Sequence, residues 1–75
     1  MNLDDIRFLR KLGLRVRERR LSRVLTQAQL AEQCELHRTF IGSVERGERN
    51  ISILNLRLIA KVLRVSPAEL IGDGR

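Results

Sequence analysis

The sequence predicts an all-α fold of five helices in a single domain spanning residues 1–75. Three observations carry this. Apolar residues recur every three or four positions rather than in alternation. Two capping boxes and a glycine stop cut the chain into helix-length pieces. No strand or hairpin signal occurs, and the single proline stands where a helix begins.

The first helix is expected from about Asp4 or Asp5 to about Arg23. Acidic residues at its start and arginines at its end suit the two poles of the helix dipole. Ile6, Leu9, Leu12 and Val16 form its inner stripe, while Gly13 marks either a close packing contact or a break. The second begins at Thr26, where "TQAQ" is a capping box, and runs to Gln33 or Cys34 with Leu30 and Ala31 inward. The third runs from about Arg38 to Arg46, with His37 near its N-cap, and stops at Gly47, a good residue just past a helix end. The fourth follows Ser52 and runs to Leu63 or Arg64. The fifth is short: Ser66 caps it, Pro67 takes the first helical position and Glu69 closes the box, after which Leu70 and Ile71 turn inward or toward a partner. The closing "GDGR" is expected to fray.

A chain of 75 residues buries only about 60% of its unfolded surface and gains from a partner. The net charge is +6 and the pI about 11.3, which favours a polyanion: nucleic acid first, an anionic membrane surface second. The charge is concentrated. Residues 7–23 carry Arg7, Arg10, Lys11, Arg15, Arg17, Arg19, Arg20 and Arg23 against one acid, Glu18. Such a run is either a polyanion footprint or a solvated face that keeps the chain soluble. With no Trp or Tyr and only two Phe, an aromatic platform for single strands is not expected. The lone Cys34 forms no internal disulfide and fits a reducing cytoplasm, as a half-buried inert thiol. No apolar run approaches a membrane span, and the N-terminus has no signal-peptide core. No nucleophile–base pair, metal-ligand cluster or phosphate-binding glycine loop is present, so no enzyme, metal, cofactor or small-molecule ligand is expected.

The second and third helices, joined by a tight turn at "CELH", form a helix-turn-helix over about residues 26–46. Its second helix is of a size for the major groove. The residues go further. "LTQAQLAE", "VERGERN" and "IAKVL", in that order over about residues 12–71, resemble the lambda-repressor-like family of helix-turn-helix regulators. Within it, "LHRTFIGSVERGERNIS" is most similar to the controller proteins of restriction–modification systems.

The resemblance implies roles. Gln27 would anchor a DNA phosphate. Arg38, Thr39 and Ser43 would reach base edges, with Arg38 able to take guanine O6 and N7 bidentately. Gly42 would let the helix seat closely. Arg46, Arg49 and Asn50 would hold phosphates, and His37 stands at the helix start as a cap or a phosphate contact. Glu45 would be structural, pairing with Arg20 and orienting it near the phosphates, as Thr26 and Gly47 are structural through their caps. Where the family often ends helices with glycine, this chain has Val24, Glu35 and Arg64. Either those helices end differently, or the chain tolerates left-handed strain. Arg19 replaces a usual apolar residue and Leu21 a usual polar one, which bears on the end and rotation of the first helix.

The fourth helix is too apolar for one face. Leu56, Ile59, Ala60 and Leu63 make the inner stripe. Ile53, Leu54, Leu58 and Val62 are left over, and three of them recur every four residues, which marks a partner surface. The family places its dimer contact on the fourth and fifth helices, which adds Ile71 and gives a dimerisation region of about 51–71. The expected function is a homodimeric regulator on a pseudo-palindromic double-stranded operator. Controller proteins activate and then repress their own and the endonuclease gene, which implies RNA polymerase as a further partner. The alternatives are a phage-type or antitoxin-like repressor of the same fold and, more remotely, a basic adaptor binding a protein or a membrane.

Overall fold

A computed structural model describes residues 1–72; the expected fraying of the last three residues lies outside them. The described residues form five helices and no strand: α1 (Leu3–Ser22), α2 (Gln27–Cys34), α3 (Arg38–Glu45), α4 (Ile53–Leu63) and α5 (Pro67–Ile71). The all-α expectation and the helix order hold.

The starts follow local chemistry. Asn2 caps α1 by accepting from the Asp5 N–H at 2.9 Å, so the helix begins slightly earlier than Asp4. Thr26 and Gln29 close the expected box on α2. Ser52 caps α4 through the Asn55 N–H, and Ser66 with Glu69 makes the second box, with Pro67 behind it. His37 precedes α3 without a side-chain cap bond.

The ends of α1, α2, α3 and α4 share one device. Leu25 donates to the Arg20 carbonyl, Leu36 to Ala31, Glu48 to Ser43 and Val65 to Ala60. Each is the six-to-one bond of a Schellman motif, which needs a left-handed residue just before it. That residue is glycine only after α3, where Gly47 has φ +74°. At the other three ends it is Val24 (φ 56°), Glu35 (55°) and Arg64 (61°). The family's helix ends are therefore kept and the strain is accepted. Leu25, Leu36 and Val65, which follow these residues, are half-buried, and Leu36 and Val65 pack against the core, the apolar contact that accompanies such motifs.

The core is one cluster drawn from every helix. Leu9, Leu12 and Val16 come from α1, Leu30 and Ala31 from α2, Ile41 and Val44 from α3, Leu56, Ile59, Ala60 and Leu63 from α4, and Leu70 from α5. Ile6 is half-buried at the margin. Gly13 is a packing contact rather than a break. A Cβ there would lie 2.3 Å from the Val44 carbonyl oxygen and 2.6 Å from that of Glu45. Gly47 is required twice, by its positive φ and because a Cβ would lie 2.7 Å from the Arg10 Cα. Two close approaches thus set α1 directly against the end of α3.

Candidate nucleic-acid interface

Helix α3 has two faces. Ile41 and Val44 are buried against α2 and α1. Arg38 and Thr39, at its first turn, are exposed. They line an open groove of about 790 Å³ together with Gly42 and Arg46 of the same helical segment and with Leu21, Val24 and Gln27. At Gly42 a Cβ would meet only the Arg46 Nη1 at 3.1 Å and the Gln27 Oε1 at 3.5 Å. Its lack of a side chain keeps the groove open.

Beneath the groove lies a charged network. Arg20 donates from Nε to Glu45 Oε2 at 2.6 Å and from Nη2 to Glu45 Oε1 at 2.9 Å. Its Nη1 donates to the Leu25 carbonyl at 2.8 Å, tying the Schellman turn to the pair. The two side chains are 8% and 3% exposed, so this is a buried, bidentate ion pair. The Glu45 hydrogen bond pushes the already high Arg20 pKa further up, against the opposing effect of burial. Gln27 Nε2 donates to the same Glu45 Oε1 at 3.1 Å. A carboxylate only accepts, so its side-chain NH₂ is held inward. Gln27 is also the first residue of α2, where the backbone N–H has no intrahelical partner and is available to an anion. Arg20 is thus buried as the support of this corner, with all three guanidinium nitrogens already engaged.

The remaining expected residues differ in how they are presented. Thr39 Oγ1 lies 3.1 Å from His37 Nδ1, so the two exposed side chains share one hydrogen bond. Ser43 is half-buried and donates back to the Phe40 carbonyl at 2.7 Å, so it is less available than Arg38 or Thr39. Arg46 pairs with Glu48 at 3.1 Å in the open. The Arg49 guanidinium sits over the Phe40 ring, 5.1 Å from its centroid. Asn50 is exposed and borders a smaller hollow beside Met1 and Phe8. Burial raises the Cys34 thiol pKa, the opposite of a reactive cysteine, and no group of metal-ligating side chains exists among the described residues.

A helix-turn-helix family model matches residues 16–70. The chain is 45% identical over 69 residues to the control protein C.BamHI of Bacillus amyloliquefaciens, covering 91% of this chain and 83% of the relative. The chain belongs to the lambda-repressor-like helix-turn-helix family, among its restriction–modification controller proteins. Its fold matches that of the controller protein C.AhdI from Aeromonas hydrophila with TM-score 0.80 and 44% identity, over 83% of this chain and 94% of that one. The regulator SinR, solved in complex with DNA, matches with TM-score 0.78 and 29% identity, over 81% and 98% of the two chains. The controller family consists of transcription regulators, not enzymes.

Sequence reasoning missed several features of this controller. Phe40 under Arg49 had no signal of its own, because a lone aromatic on an amphipathic helix reads as core. In the sequence Arg15, Arg19 and Arg23 belong to a charge run, yet they recur every four residues and meet α4 and α5. That spacing was legible. Of the expected partner surface, Ile53 and Leu54 are 68% and 70% exposed, whereas Leu58, Val62 and Ile71 are half-buried against the core. No helix among the described residues is long and apolar enough to cross a membrane.

Proposed function

We propose that this controller-family chain acts in the cytoplasm as a homodimer that binds an inverted repeat in double-stranded DNA. Helix α3 enters the major groove, and Arg38 and Thr39 read base edges. Ser43 joins them if its hydroxyl exchanges the Phe40 carbonyl for a base. Gln27, His37, Arg46, Arg49 and Asn50 hold phosphates, and Arg20 adds its charge from beneath them; such contacts set register without specifying sequence. Residues 51–71 form the dimerisation region, with Ile53 and Leu54 at its exposed centre and Leu58, Val62 and Ile71 beside them. Two α3 helices related by a two-fold axis would then lie about 34 Å apart, one turn of DNA.

One observation carries the reading. The first turn of α3 presents Arg38 and Thr39 at the mouth of an open groove, while the same helix is fixed from behind by Ile41, Val44 and the Arg20–Glu45 pair. Likeness to controller proteins supports the regulatory part. At low concentration a dimer activates its own and the endonuclease gene beside RNA polymerase; at high concentration further binding represses. A monomer–dimer equilibrium makes occupancy steep in concentration, which delays the endonuclease.

Selection of sites from randomised duplex DNA at near-physiological salt tests the proposal. An enriched inverted repeat with guanines at symmetric positions is expected. Arg38→Ala should lose about 1–3 kcal/mol of discrimination at those guanines. Binding without an enriched motif, or a monomer in sedimentation at tens of micromolar, would overturn it.

A further inference from the structure

The basic run on α1 divides its labour by direction. Arg15, Arg19 and Arg23 stand four residues apart and therefore share one face of the helix. Arg15 Nη1 donates to the Ile71 carbonyl at 3.1 Å. Arg23 Nη1 donates to the Val62 carbonyl. Arg19 Nη2 lies 4.0 Å from Glu69 Oε1, between the two. Both carbonyls are at helix C-terminal ends, where they lack intrahelical partners and where a cation is favoured by the dipole. Gly72 leaves room for the first of these contacts, since a Cβ there would lie 2.6 Å from the Arg15 Cζ.

The residues gripped are not arbitrary. Val62 and Ile71 belong to the dimerisation surface described above. The neighbouring Arg20 leaves α1 in another direction and holds Glu45 at the end of the reading helix. One rigid helix therefore grips the dimer surface with Arg15, Arg19 and Arg23, and the reading helix with Arg20 and Gly13. We propose that this arginine stripe is a clamp that fixes the angle between the dimer surface and α3, and thereby sets the spacing of the two DNA half-sites the dimer accepts. The inference rests on the homodimer reading above. The stripe residues are positioning residues and need not touch DNA.

The test compares wild type with Arg15→Met, Arg23→Met and the double variant, each keeping an apolar stem in place of the guanidinium, and with Arg23→Lys, which restores a donor. Binding is measured to the selected inverted repeat and to the same half-sites with one base pair added or removed between them. Sedimentation and thermal melting are run alongside. Removing an arginine from α1 also weakens DNA binding generally, but the ratio of affinities between spacings cancels that effect. Wild type is expected to lose on the order of tenfold to a hundredfold on the altered spacings, the scale of one mismatched base pair. In the double variant that penalty shrinks toward unity, the single variants fall between, and Arg23→Lys returns toward wild type. If the double variant does not fold, the single variants carry the comparison. A folded variant that keeps the wild-type spacing penalty overturns the clamp alone. A wild type that is monomeric, or that selects no inverted repeat, overturns the homodimer reading and the clamp with it.

Discussion

Replacing Val24 with glycine should stabilise this protein. Val24 has φ 56° and is 88% exposed, so its side chain contributes almost no packing while its backbone sits where a Cβ is penalised. The left-handed conformation costs an ordinary L-residue roughly 1–2 kcal/mol, and a β-branched residue belongs at the upper end. Glycine removes that cost but gives the unfolded chain more freedom, which takes back about 0.4–1 kcal/mol. The net gain is about 1 kcal/mol. For a domain of this size, that corresponds to a rise in Tm of about 4–8 °C. The Schellman bonds from Val24 and Leu25 are backbone bonds and are unaffected. Thermal melts of Val24→Gly, Val24→Asn and Val24→Ala, followed by far-UV circular dichroism, separate the contributions. Asparagine tolerates the left-handed region without the entropic cost of glycine, so it should match or exceed glycine. Alanine keeps a Cβ and loses only the branching, so it should gain least. A series in which glycine and asparagine melt at or below wild type would refute the account of strain at this helix end.

Gly13→Ala should cost about 3 kcal/mol or more in urea unfolding, because the added Cβ meets the Val44 and Glu45 backbone and no flexible side chain can yield. Glu45→Ala leaves the Arg20 guanidinium buried and unpaired, which costs about 3–5 kcal/mol, whereas replacing both partners with apolar residues should cost far less in the same denaturation assay. Phe40→Leu keeps the apolar volume but removes the ring beneath Arg49; DNA affinity should weaken by about 0.5–1 kcal/mol, and the salt dependence should move part of the way toward that of Arg49→Ala, whose slope falls by about 0.9. The Glu69 carboxylate accepts from the Ser66 backbone N–H, which lowers its pKa. Its contribution is therefore present above the ordinary value of about 4.3 and is lost as pH falls through the lower folded value, so the Tm difference between wild type and Glu69→Gln should be constant near neutrality and narrow in acid.

The parts of this fold that could be read from the sequence are those decided within one helical turn. Thr26 with Gln29 and Ser66 with Glu69 announce two helix starts, and the spacing of Leu56, Ile59, Ala60 and Leu63 announces a buried face. The helix ends at Val24, Glu35 and Arg64 were not legible in the same way. Local preference argues against left-handed backbone there, and the outcome is decided just beyond: Leu36 and Val65 pack against the core, and the Leu25 backbone is held by the Arg20 carbonyl and guanidinium. Gly13 illustrates the same boundary. Its neighbours in sequence allow a break or a contact, and the choice is made by carbonyls of Val44 and Glu45 on another helix. At the groove, exposure of Arg38 and Thr39 followed from the inward turn of Ile41 and Val44. The inward turn of Ser43 onto its own helix, and of Gln27 onto Glu45, did not, because short polar side chains have several partners within reach.

Net charge describes a field and not the destination of each cation. A chain with this pI attracts nucleic acid at long range, whichever of its cations make the final contacts. Yet Arg20 is closed into a buried pair, and Arg15 and Arg23 are committed to helix-end carbonyls. Arginine suits both tasks. Its fork satisfies two acceptors while keeping its charge, so an engaged residue still adds to the long-range potential. One run can thus draw the protein to DNA and hold α3, α4 and α5 in place. The cost is that the two roles cannot be separated by counting charges. They separate by position along α1: residues 15, 19 and 23 on one face, residue 20 on another. A charge-neutral swap along the helix would alter the first role little and the second strongly.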